Sequence, residues 1–122
     1  MYHIDADIPK NRLIIRVTGM MGVEEVTEAG QKLMAAVARL KPGFDCINDL
    51  SEAKPASQEV ADRLGKIQAA VAKAGMRRVV RVVLSRLTAM QFDRTAAGLP
   101  YQVFQADSID AAQQLLDQPA AE

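Results

Sequence analysis

The chain opens on strict alternation. Tyr2, Ile4 and Ala6 fall on one side of an extended backbone and His3, Asp5 and Asp7 on the other, which predicts a half-exposed strand over Tyr2 to Ala6. Pro9-Lys10-Asn11 reads as a turn, and Arg12 to Thr18 as a second strand with Leu13, Ile15 and Val17 on one face and Arg12, Ile14, Arg16 and Thr18 on the other. So tight a connection predicts an antiparallel hairpin.

After Gly19 the period lengthens. Val26, Gly30, Leu33, Val37 and Leu40 form one stripe of a helix from Val23 to Leu40, and Glu24, Glu25 and Glu28 crowd its positive end. Gly in mid-helix costs on the order of 1 kcal/mol relative to Ala, so Gly30 on the apolar stripe implies close packing against a sheet. Lys41-Pro42-Gly43 stops this helix.

Phe44 to Leu50 is a third strand whose apolar mixture suits a central position, and it ends in Asn48-Asp49-Leu50-Ser51. A loop from Glu52 to Ala56 leads to Ser57, placed to cap a helix with Val60, Leu64, Ile67 and Val71 inward and Gly75 as its stop. Arg77 to Leu84 is rich in β-branched residues and predicts a strand. Its Val80, Val82 and Leu84 make an apolar face, while Arg77, Val79, Arg81 and Val83 make a mixed one that matches the Arg12/Arg16 face. With both mixed faces on one side, helices would cover the other and leave this one partly open.

Ser85 to Ala97 predicts a third helix carrying Leu87, Met90 and Phe92, closed by Gly98-Leu99-Pro100. Tyr101 to Ala106 is a last short strand, and Asp107-Ser108 caps a final helix with Ile109, Ala112, Leu115 and Leu116 inward, before a fraying tail from Gln118. The order is β-β-α-β-α-β-α-β-α.

Composition narrows the function classes. A length of 122 residues fits a single domain over 1–122, and 49% apolar with 25% charged residues is a globular balance. Lys+Arg and Asp+Glu both number 15, so no net field draws the chain to nucleic acid or to an anionic membrane. No apolar run is long enough for a membrane span, and the start lacks the basic-then-apolar order of a secretory signal, so a cytoplasmic protein is expected. Cys46, the single cysteine, suits a buried thiol, and with His3 as the single histidine a two-histidine zinc site is ruled out within one chain. There is no Gly-rich phosphate loop, no nucleophile elbow and no metal-spaced cluster. The expectation is a protein that is not an enzyme and carries no cofactor.

Gly43-Phe44-Asp45 through Asp49-Leu50-Ser51, the helix start at Ser57, and the run from Gly75 to Val83 together resemble the SpoIIAA-like proteins. These are bacterial STAS/Sec14-type single domains, relatives of the anti-sigma factor antagonists. The resemblance spans nearly the whole chain. It implies an α/β SpoIIAA-like (STAS) fold, a mixed, mostly parallel five-stranded sheet with helices mainly on one face. In the antagonists a strand ending in Asp-Leu-Ser leads to a turn whose serine, at the helix start, is phosphorylated by a partner kinase. Placing Asp49-Leu50-Ser51 on that strand end brings Ser57 to the acceptor turn as a candidate phosphosite. Here Ala56 stands in place of the family's Asp, the glycine is missing, and Glu59 adds negative charge where a phosphate would sit.

The candidate binding residues are Asp49, Ser51, Ser57, Glu59, Ser85 and Arg86. Asp49 and Ser51 lie where open α/β sheets bind ligands, or they form a turn bonded to nearby backbone. Ser57 is explained as a helix cap, with the phospho-switch as the alternative that the resemblance implies. Ser85, Arg86 and Thr88 would complete a polar rim, with Ser85 also a natural cap and Arg86 available to an anionic group. Arg77, Arg78 and Arg81 lack an aromatic platform for nucleic acid and read as solvated strand faces or a subunit contact. The expected role is regulation by binding a protein partner through Ser51 to Val60. A small apolar or lipid-like ligand is the alternative implied by the Sec14 side of the resemblance. A homodimer is expected from the mixed Arg/Val face and an exposed edge strand.

Overall fold

Leu13, Cys46 and Val79 stand side by side on three adjacent strands, and the main core is built on that row. The computed structural model describes residues 1–83 and 101–118. Along these the order is β1 (Tyr2–Asp7), β2 (Arg12–Gly19), α1 (Val23–Val37), β3 (Asp45–Ala53), α2 (Gln58–Lys73), β4 (Arg78–Val82), β5 (Gln102–Ala106) and α3 (Ile109–Asp117). The predicted helix from Ser85 to Ala97 lies outside the described residues.

The strands form one sheet in the order β1-β2-β3-β4-β5, with β1 and β2 antiparallel and every other pair parallel. The hairpin follows from its turn, where Asn11 takes a positive φ of 53°, a conformation Asn tolerates better than most residues. β3 is the central strand, as its apolar run predicts.

α1 and α2 pack on one face, where Leu33 and Val37 from α1 and Val71 from α2 meet Leu13, Cys46 and Val79. α3 packs on the opposite face, with Ala112 and Leu116 against Ile47, Val80 and Val82. The predicted stripe of α1 is the buried one: Val26, Gly30, Leu33 and Val37. This helix stops at Val37 rather than Leu40. Arg39 and Leu40 donate to the carbonyls of Ala36 and Val37, a tightening that releases the chain before Pro42.

The pairing of the mixed faces is corrected. Leu13, Cys46 and Val79 are in register, as are Ile15, Asn48 and Arg81, so the Val79/Arg81 face of β4 lies with Leu13 and Ile15 under α1 and α2. Arg12 and Arg16 share the other face with Val80 and Val82, which α3 partly covers. Alternation within a strand states which residues share a face, but β3 stands between β2 and β4 and its register decides which faces coincide.

The arginines change character accordingly. Arg78 and Arg81 are only 4% and 1% exposed, while Arg77 is exposed. Arg78 grips Asp45 with two hydrogen bonds, Nε to Oδ1 at 2.9 Å and Nη2 to Oδ2 at 2.7 Å, and also donates to the carbonyls of Leu116 and Gln118. It thereby satisfies carbonyls at the end of α3 that the helix leaves orphaned. Arg12 holds the same helix by donating to Gln113 and to Asp117. Arg78 and Arg81, expected on solvated strand faces or at a subunit contact, are therefore inside the fold, and of the three only Arg77 is exposed.

Candidate functional site

Strand β3 carries the first pair of candidate residues and runs beyond the predicted end at Leu50, as far as Ala53. Arg16 is opposite Asp49 but Thr18 is opposite Glu52, so β3 holds one more residue than β2 over this interval. That is a bulge, and it keeps β3 paired past the point where its apolar run stops. Asp49 lies at the bulge, buried at 3% exposure. Its Oδ1 accepts from the Ser51 backbone N–H at 3.1 Å and from the Ser51 hydroxyl at 2.7 Å, while Arg16 Nε stands 3.6 Å from Oδ2. Asp49 and Ser51 are thus bound to each other within the strand.

The second pair sits at the start of α2. Ser57 is the N-cap, with extended backbone, and its hydroxyl oxygen accepts from the Val60 N–H at 3.3 Å. Ser57, Gln58 and Glu59 are all exposed, and Gln58 donates to Asp62 one turn on. Ser85 and Arg86 lie outside the described residues.

A cavity of about 100 Å³ occupies the space between the sheet and helices α1 and α2. Its walls are mainly aliphatic, with Ile15, Val17, Leu33 and Leu64 among them, and Asn48, Gln68, Arg81 and Tyr101 add polar groups. The side-chain oxygens Asn48 Oδ1 and Gln68 Oε1 are buried without a hydrogen-bond partner. Burial raises the pKa of the Tyr101 hydroxyl; the charge of Arg81 opposes this, and a hydrogen bond with Arg81 opposes it further. Cys46 also lines the cavity, and burial pushes its thiol up to about 12. A thiol held in that state is a poor nucleophile.

Gly30 also lines the cavity, at the crossing of α1 and α2. A methyl group at Gly30 would come within 2.9 Å of Ile67 Cδ1, so the glycine permits close approach of the two helices. Its partner is helix α2, where the stripe pattern alone suggested the sheet. Gly30 is legible from its helical cost, whereas nothing in the chain marks Asn48, Gln68 or Tyr101 as cavity residues, and Arg81 reads as a solvated strand face or subunit contact. Asn48 was legible only as part of a strand end, and Arg81 belongs to the face whose register was misassigned.

No family model matches the sequence. No curated protein matches it either. Solved structures do. An uncharacterized protein from Shewanella loihica PV-4, described as having a SpoIIAA-like fold, superposes with a TM-score of 0.76 at 16% identity, over 94% of this chain and 93% of that one. The fold is SpoIIAA-like. The anti-sigma factor antagonist SpoIIAA in its unphosphorylated form matches with a TM-score of 0.65 at 15% identity, over 98% of this chain and 100% of that one. An anti-sigma factor antagonist from Mycobacterium paratuberculosis matches with a TM-score of 0.63 at 17% identity, over 97% and 96%. Within this SpoIIAA-like fold the bulged end of β3 feeds the exposed start of α2, and α2 roofs the cavity with Leu64, Ile67 and Gln68. Among the described residues no helix is long and apolar enough to cross a membrane.

Proposed function

We propose that this protein is a non-enzymatic regulatory module that binds a protein partner through the segment from Ser51 to Val60. The observation that carries this reading is the exposed N-terminus of α2, where Ser57, Gln58 and Glu59 follow directly on the bulged central strand. The same fold occurs in two anti-sigma factor antagonists, proteins whose names denote regulation of another protein. The helix N-terminus offers partial positive charge, Glu59 supplies a carboxylate, and the rigid sheet behind them holds both in place.

Ser57 is the candidate phosphosite of this module. Its hydroxyl is exposed, and the cap geometry would direct a phosphate at the first N–H groups of α2, with Glu59 working against it. Affinity purification from lysate with wild type, the Ser57→Asp/Glu59→Lys variant and a Lys73→Glu control at the far end of α2 tests the surface. A partner retained by the control and lost by the double variant is the expected result; identical partners in all three would reject the assignment.

The cavity favours a second reading, binding of a small apolar ligand between the sheet and α1 and α2. Native mass spectrometry of freshly purified protein separates the two readings, because a co-purified small molecule belongs to this one alone. Self-association would use the outer edge of β1, which pairs with β2 on its other side. Light scattering at high concentration measures it, and a monomer mass would reject it.

A further inference from the structure

We propose that the cavity beneath α1 and α2 takes a small hydroxylated ring compound, of the size and chemistry of phenol, and that the Ile67 side chain is its gate. This rests on the apolar-ligand reading and adds to it the polar requirement and the way in. The cavity measures about 100 Å³ and is walled largely by aliphatic side chains. For comparison, a dry core cavity of roughly 150 Å³ accepts benzene. A ring therefore needs modest expansion, which movement of a single lining side chain provides.

The polar requirement comes from two acceptors on opposite walls. Asn48 on β3 and Gln68 on α2 both line the cavity, and each buries a side-chain oxygen that receives no hydrogen bond. An occupant without a donor leaves both desolvated and unpaired, whereas a hydroxyl satisfies one directly.

The gate follows from residues shared by two hollows. Outside the cavity a groove of about 630 Å³ runs between α1 and α2, lined by Thr27, Met34, Arg63 and Ala70 among others. Gly30 and Ile67 line both the groove and the cavity. At that point the partition is an isoleucine side chain against bare helix backbone, since an ideal Cβ on Gly30 would lie 2.9 Å from Ile67 Cδ1. Rotation of Ile67 toward the groove would join the two hollows and enlarge the cavity.

Cys46 gives a readout, because it is the single cysteine of the chain and lines the cavity. The experiment measures alkylation of Cys46 by iodoacetamide in the full chain, alone and with phenol or toluene, together with binding of both compounds followed by amide chemical shifts. Phenol is expected to bind, to slow alkylation, and to exceed toluene in affinity by about tenfold, the value of one buried acceptor satisfied. Asn48→Leu should remove much of that preference. Ile67→Ala should speed alkylation by about tenfold or more, and Ile67→Val, which keeps most of the packing, by less; thermal melts establish that both variants are folded.

Equal affinity for phenol and toluene would overturn the polar requirement while leaving the apolar-ligand reading in place. Neither compound binding, with alkylation unaffected by both, would overturn the proposal and that reading together. Alkylation unchanged in both folded Ile67 variants would overturn the gate.

Discussion

Asp49 and Ser51 are joined through a single carboxylate oxygen, which accepts both the backbone N–H and the hydroxyl of the serine across the bulge in β3. The pair holds the extra residue of the central strand in place. Leu50 between them is fully buried, so the bulge also fixes a core side chain.

Asp49→Ala should therefore destabilise the fold by about 1–3 kcal/mol, the penalty for leaving a buried donor unpaired. Ser51→Ala should cost less, about 1 kcal/mol, because the backbone N–H retains its acceptor. Urea denaturation of both variants checks the order. Equal losses would mean that the hydroxyl matters as much as the backbone bond.

Asp45 and Arg78 form a buried, bidentate ion pair between β3 and β4, and hydrogen bonding to Asp45 raises the pKa of Arg78. Removing the carboxylate leaves a buried guanidinium without its counter-charge. Asp45→Ala is expected to cost about 3–5 kcal/mol, and replacing both members with apolar residues of similar size to cost far less. Denaturant midpoints for the single and double variants decide this.

Two glycines should respond differently to alanine. Gly75 has a φ of +111°, and a Cβ there would lie 2.9 Å from Pro42 Cα, a backbone atom that cannot turn aside. Gly75→Ala should cost on the order of 1–3 kcal/mol. Gly30 is helical, and its obstacle is the flexible end of Ile67, so a helix gain of about 1 kcal/mol offsets the displacement and Gly30→Ala should stay near neutral. Thermal melts of the two variants provide the comparison.

The Cys46 thiol titrates at about 12 in the fold, against an ordinary value of 9.0, because burial disfavours the thiolate, with Asp45 adding to the effect and Arg81 opposing it. A raised folded-state pKa means that the folded state holds its proton longer. The contribution is whole below pH 9 and is lost as pH rises from 9 toward 12. Wild type should lose stability relative to Cys46→Ala across that window, as read by denaturation at successive pH values.

Much of the fold was legible in the pattern of residues. The alternation of Tyr2 to Ala6 and Arg12 to Thr18 gave the hairpin, and the stripe of Val26, Gly30, Leu33 and Val37 gave the buried side of α1. Ser57 and Ser108 were readable as caps because capping needs only a hydroxyl before the first turn, and both accept the expected N–H. Of the candidate site, the exposed helix start at Ser57 and Glu59 was found, while the cavity was not. A cavity is a property of two surfaces brought together, and no local pattern encodes its volume.

The order of the described elements, and which residues of each share a face, were readable from the chain alone, because these follow from backbone periods of 2 and 3.6 residues. That Arg81 lies under α1 and α2 while Arg12 and Arg78 hold α3 on the other side emerges once the strands are paired. Strand register sets those assignments, and a slip of one residue would reverse them. It also turned Asp49 and Ser51 from the end of a strand into a bulge within it, since pairing with β2 carries β3 beyond its apolar run.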